Sequence, residues 1–141
     1  MAEQHSDSAP AGALRCVVVT PETTVLDESA DFVALPLFDG ELGVAYNHTP
    51  LVGRLGYGEL RIRQGSQTRR YYVDGGFAEV VGNVVSVLTE RAIPAEKLDA
   101  QAIGSQLEAN RQRPANSPEL MDIRDRLVAQ NRAQLRLARK D

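Results

Sequence analysis

The chain predicts an antiparallel β-sandwich or flattened barrel followed by a C-terminal α-helical hairpin. Two observations carry this. From Leu14 to Thr89 short β-branched runs alternate with turn residues, and no helix-length segment interrupts them. After Glu90 the apolar spacing changes from the two-residue period of strands to that of helices. At 141 residues, 43% hydrophobic and 25% charged, the chain suits one soluble domain with a small appendage.

Each strand has its own signal. "LRCVVVT" is compact and β-branched, and its Cys16, with no second cysteine to pair with, reads as a small buried hydrophobe. "ADFVALPLF" runs into Asp39-Gly40, a pair suited to a tight hairpin, and "ELGVAYN" returns from it. "GELRIRQG" alternates Leu60 and Ile62 with Arg61 and Arg63, a strand with one wet face. "TRRYYVD" follows across Gly65-Ser66. "DGG" at 74–76 reads as a further break, and "FAEVVGNVVSVLTE" as two strands around Gly82-Asn83.

Pro94 fits the first turn of a helix whose narrow stripe is Leu98, Ala102, Ile103, Leu107 and Ala109, with Gly104 costing about 1 kcal/mol relative to Ala. "RQRPANSP" breaks the chain. Ser117 then caps a second helix with Pro118 at its first position and Leu120, Ile123, Leu127, Leu135 and Ala138 along one side. Two such helices bury little between themselves and must lean on the sandwich or a partner. The expected units are a disordered leader over 1–13, a β-sandwich over 14–92 and a two-helix domain over 93–141.

Charge is uneven along the chain. Residues 1–95 hold seven Lys/Arg against twelve Asp/Glu, a balance of −5, whereas residues 119–141 hold six against four, a balance of +2. A basic tail on an acidic body suits an acidic partner surface, though a solvated helix face explains it as well. No apolar run approaches the ~20 residues of a membrane span, and the acidic start lacks a secretory core, which points to the cytoplasm.

Chemistry is sparse. One Cys and two His, with His5 in the leader, make no zinc site and no other metal site. His48 is the only credible base, and no Ser sits in a nucleophile turn. The carboxylates Asp27, Glu28, Asp39 and Glu41 are scattered over hairpins, and "GGF" precedes no helix as a phosphate loop would. "RRYY" at 69–72 hints at nucleic acid, but alternation splits its tyrosines between two faces of an acidic sheet, so none is expected to bind. No enzyme emerges, and His48 reads as a brace for the loop before Pro50.

"GELGVAYNHTPL", then "YYVDGGFAEVVGNVVSVLTE", then a helical hairpin resembles the epsilon subunit of the F-type ATP synthase over residues 14–138. The resemblance implies a ten-stranded sandwich and a non-catalytic central-stalk subunit at the cytoplasmic face of an energy-transducing membrane, without a span of its own. It implies a gamma subunit and the c-ring as partners, and the alpha/beta catalytic head when the hairpin extends to restrain ATP hydrolysis. It implies no cofactor. Carried over, Asp39, Gly40, Glu41, Leu42 and His48 become c-ring interface candidates.

Some relatives hold ATP against the folded hairpin through an I/L-D-x-x-R-A motif. Here "LDAQAI" keeps Leu98 and Asp99 but has Ala102 for the arginine, which removes the group best suited to a phosphate. Asp99, Arg132 and Arg136 remain as remnants, so ATP binding is expected to be weak or absent. Arg124, Arg126, Arg132, Arg136, Arg139 and Lys140 become candidates for an inhibitory arm facing acidic loops of the head. The alternative is a stand-alone β-sandwich binding module with a helical lid; an enzyme using His48 is the third reading.

Overall fold

The structure, a computed structural model, describes residues 12–139. The expected leader up to residue 11 therefore lies outside the described residues. Eight strands precede two helices: β1 (Leu14–Val19), β2 (Thr24–Ala30), β3 (Phe32–Leu37), β4 (Gly40–Val44), β5 (Leu51–Gln64), β6 (Gln67–Val81), β7 (Val84–Leu88), β8 (Ala92–Pro94), α1 (Ala100–Arg111) and α2 (Pro118–Ala138). They pair in the order β2-β1-β7-β6-β5-β3-β4, with β8 added on β6. The sheet wraps one core. Ion pairing of Arg69 with Glu28 and a Gln64–Ser29 hydrogen bond draw β2 toward the start of β6 and the end of β5.

This is the sandwich that the alternating segments predict, with two differences. The described strands number eight, not about ten, and one pair, β1 with β7, runs parallel. The lower count follows from the long hairpin β5–β6, whose strands run 14 and 15 residues without interruption. "DGG" is thus no chain break. Gly75 and Gly76 take φ of 76° and 105° inside β6, and the pairing steps from Leu55↔Gly76 to Tyr57↔Asp74. Buried positions shift by one across this kink, from Leu55 to Leu60 and Ile62 on β5, and from Val73 to Ala78 and Val80 on β6. The alternation changes phase there, as it does at a bulge, so both halves turn apolar side chains to the same core.

The turns follow local chemistry. Gly82 and Asn83, with φ of 59° and 64°, form the two-residue loop between Val81 and Val84. In the β3–β4 hairpin the loop residues are Phe38 and Asp39, one step earlier than expected, and Gly40 (φ 139°) opens the return strand. Pro36 has no N–H to donate, and the β3–β5 register slips between Ala34 and Leu37 around it. Cys16 is fully buried as expected, and that burial, aided by Glu28 and Asp27, pushes its thiol up to about 12, leaving it protonated and inert at neutral pH.

The helices begin later than Pro94 suggests. Ala95–Lys97 forms one 3-10 turn, and α1 starts after Asp99, whose carboxylate accepts from the backbone of Gln101 and Ala102. Ser117 caps α2 as expected, accepting from Leu120 N. Ile103 is buried, but Ala102 and Ala109 face solvent, because α1 packs mainly on α2 and needs a single narrow seam. On α2 the buried face holds Ala133, Leu135 and Leu137 together with the amides Asn131 and Gln134.

Gly76 bounds what the kink tolerates. A Cβ there would lie 1.9 Å from the Leu88 carbonyl oxygen, whereas one on Gly75 meets nothing nearer than 3.7 Å. Denaturant titration should find Gly76→Ala destabilised by roughly 3 kcal/mol or more and Gly75→Ala by about 1–2 kcal/mol from its φ alone. Equal losses would contradict the kink as described.

Candidate interaction surfaces

Asp39, Gly40, Glu41 and Leu42 share the β3–β4 hairpin. The first three are exposed, while Leu42 leans on the core. Beside them Phe38 is 67% exposed, with the Arg54 guanidinium 4.5 Å from its ring centre. Glu41 accepts from both terminal nitrogens of Arg61 at 3.1 and 3.5 Å, so the hairpin presents a paired carboxylate and not a bare one.

His48 is held elsewhere. It lies past the far end of β4, in a loop tied to the β6–β7 turn by reciprocal hydrogen bonds between Asn47 and Asn83. Its backbone N–H donates to Ala45 O, and its ring Nδ1 lies 2.7 Å from Thr49 O. A carbonyl only accepts, so Nδ1 carries the proton and the imidazole fastens the loop before Pro50.

A second surface was not anticipated. On the outer face of the sandwich Val52 is 73%, Phe77 59% and Leu88 54% exposed. Phe77 pairs across strands with Leu88 on one side and Arg54 on the other, so these side chains form one strip with Phe38 at its edge. Alternation in "FAEVV" carries the signal, since Phe77 and Val81 fall opposite the buried Ala78 and Val80. Apolar side chains standing together on the wet side of a sheet mark a place where something docks.

On the other side of the kink the outer face is covered by α2. Tyr72 is fully buried beneath Ala133 and Leu137, with Ala95 completing the cluster. Asp74, 8% exposed, accepts from Tyr72 Oη (2.7 Å), Gln130 Nε2 (3.0 Å) and Arg91 Nε (2.8 Å), and its backbone N–H donates to Thr89 Oγ1. Burial first, and the neighbouring carboxylate second, raise the Tyr72 phenol far above its usual range, so it remains a donor. Arg70 Nη2 donates to Leu137 O near the end of α2 and is ion-paired to Glu59.

The nucleotide-site remnants lie on both helices. Asp99 caps α1, Ala102 is exposed, and Arg132 and Arg136 stand on the solvent face of α2. Of the arm candidates, Arg124 is paired with Asp125, Arg126 and Arg139 are exposed, and Lys140 lies outside the described residues. Among the described residues no His, Cys, Asp and Glu cluster that could hold a metal occurs, and no helix is long and apolar enough to cross a membrane.

Comparison with known proteins places these surfaces in context. Residues 13–95 match the model of the ATP synthase delta/epsilon chain β-sandwich domain. The chain is 53% identical over 127 residues to the ATP synthase epsilon chain of Rhodopirellula baltica, covering 90% of this chain and 99% of that one. It is 37% identical over 125 residues to the epsilon chain of Nitratidesulfovibrio vulgaris, covering 89% and 93%. In fold it is similar to a chain of the Euglena gracilis mitochondrial ATP synthase with its c-ring, at a TM-score of 0.81 and 22% identity over 90% of this chain and 82% of that one. A chain of the Tetrahymena thermophila central stalk and c-ring gives 0.71 at 14% identity, over 89% and 96%.

The two kinds of ion pair should behave differently. Glu41→Gln removes a pair at the surface and should cost less than about 1 kcal/mol. Asp74→Ala leaves buried Tyr72 and Gln130 without their acceptor and should cost about 2 kcal/mol or more. Urea unfolding midpoints of the two variants check this, and the reverse order would contradict the assignment of Asp74 as the structural carboxylate.

Proposed function

The chain belongs to the epsilon-chain family of ATP synthases, and on that premise we propose that it works as the central-stalk adapter between the gamma subunit and the c-ring. As a family member it is a non-catalytic subunit of an ATP-synthesising complex. The observation that carries the adapter reading is the outer apolar strip of Val52, Phe77 and Leu88 lying beside the β3–β4 hairpin. An apolar strip suits a permanent partner that buries it, and gamma is that partner. The polar hairpin, with Asp39 and the Glu41–Arg61 pair, suits the polar loops of a ring that it rests on. The subunit is peripheral, at the cytoplasmic face of the membrane that carries the complex.

The finer reading gives α2 a regulatory part. Extended beside gamma, it carries Arg124, Arg126, Arg132, Arg136, Arg139 and Lys140 toward acidic loops of the catalytic head and restrains ATP hydrolysis. Such contacts are long-range and weaken with salt. The lid alternative needs an unoccupied ligand cleft beneath the helices. A groove there, lined by Arg69, Arg70, Tyr71 and Leu98, has its arginines already bound to Glu28 and Glu59. ATP binding stays weak or absent, with Ala102 in the place of the motif arginine.

Capture by gamma subunit from the same cell tests the adapter, using Phe77→Asp and Val52→Asp. The wild-type chain should be retained stoichiometrically and the double variant lost by a factor of ten or more. Retention of both would remove the strip from the interface. In the assembled enzyme, Ala at all six arm positions should raise ATPase rate at low salt and leave it unchanged at high salt; no rise at low salt would end the arm reading.

A further inference from the structure

Beside a small apolar cluster, the seam between α2 and the sandwich holds groups that water can replace. Asp74 sits at its centre, and two of its three side-chain partners, Tyr72 and Arg91, belong to the sandwich. Only Gln130 comes from the helix. If α2 moves away, Asp74 keeps its phenol and its guanidinium, and one water takes the place of the amide. Thr89 continues to hold the site from behind, accepting from Asp74 N and donating to Arg91 O. The socket is therefore complete before the helix arrives, and departure leaves no buried charge unpaired.

The helix side has the same character. Asn110 Nδ2 donates to Asn131 Oδ1 at 2.7 Å, and Asn131 Nδ2 reaches Gln106 and Gln134 at 3.4 and 3.3 Å. These amides hold α1 against α2 where an ordinary hairpin would place leucines. Beyond them, the apolar contact with the sandwich is a small cluster of Tyr72, Ala95, Ala133 and Leu137, with Tyr57, Ile93 and Leu98 packed at its edge. Strong apolar burial would make docking permanent, whereas amide and charge-assisted bonds make it selective in position and low in cost to open.

We propose that Tyr72, Asp74 and Arg91 form a preformed socket and Gln130 the plug of a release catch, which sets the balance between docked and released α2. This rests on the reading that the helical pair leaves the sandwich in the working enzyme. The contact is specific in sign. A carboxylate at 130 faces Asp74 as a like charge and drives α2 off, while an ammonium at 130 pairs with Asp74 and holds it.

Hydrogen exchange of the full chain tests the catch without the rest of the enzyme, comparing wild type with Gln130→Glu and Gln130→Lys. Position 130 is only half-buried, so both variants are expected to fold, and amides of β1, β6 and β7 report on that directly. The catch predicts α2 amides exchanging on the order of tenfold faster in Gln130→Glu, and as wild type or slower in Gln130→Lys, with strand amides unchanged. Equal exchange in the two variants would overturn it. So would strand amides accelerating as much as the helix, since the contact would then support the whole fold. If Gln130→Glu frees α2 while the assembled enzyme's ATPase rate stays the same, the catch stands and the inhibitory arm fails.

Discussion

The long β5–β6 hairpin, paired at thirteen positions and kinked at Gly56, Gly75 and Gly76, is the constraint on which the rest depends. Its inner side supplies Leu55, Leu60, Ile62, Val73, Ala78 and Val80 to the core. Its outer side is divided by the kink into two territories. One, around Tyr72 and Asp74, lies under α2; the other, around Val52 and Phe77, is open. A straight hairpin of this length would keep one phase of alternation and could not present apolar side chains inward along both halves. The glycines permit the phase change, and Gly76 does so where a carbonyl leaves no room for a side chain.

That division accounts for two kinds of contact in one small chain. The open strip is apolar and suits the lasting interface proposed for it. The covered territory is polar at its centre, with a carboxylate satisfied largely from its own side, as the proposed release catch requires. The basic residues of α2 lie mainly on the face turned away from the sandwich, with Arg132 and Arg136 exposed while Ala133 and Leu137 are buried. Docking thus leaves the charged face of the helix accessible.

Much of this is legible in the residues. Leu60 and Ile62 alternate with arginines and are buried as the pattern requires; Gly82-Asn83 forms its hairpin; Ser117 and Pro118 start α2 where they stand. The failures have a physical cause in each case. Consecutive glycines permit a turn or a kink equally, and only the partner strand decides, so "DGG" reads as a break when it is a bend. Pro94 suggests a helix start, but Asp99 supplies what it lacks, an acceptor for the orphan backbone N–H groups. Asn131 and Gln134 look like solvent positions because their burial depends on meeting other amides from α1. Tyr72 and Asp74, two apart on one strand, share a face, but nothing local shows that a helix covers it. The interface candidates fare unevenly: Asp39, Gly40, Glu41 and Leu42 sit together, whereas His48 belongs to a different loop and has a proton committed to it.

The central claim is that partner recognition resides on the outer strip and the neighbouring hairpin, with α2 free to come and go. Hydrogen exchange of the chain bound to gamma and the c-ring, against the free chain, measures this directly. The account predicts new protection over residues 38–42, 52–54 and 77–81, with the strands' inner pairing unchanged. Protection confined to α1 and α2, with the strip exchanging as in the free chain, would contradict it.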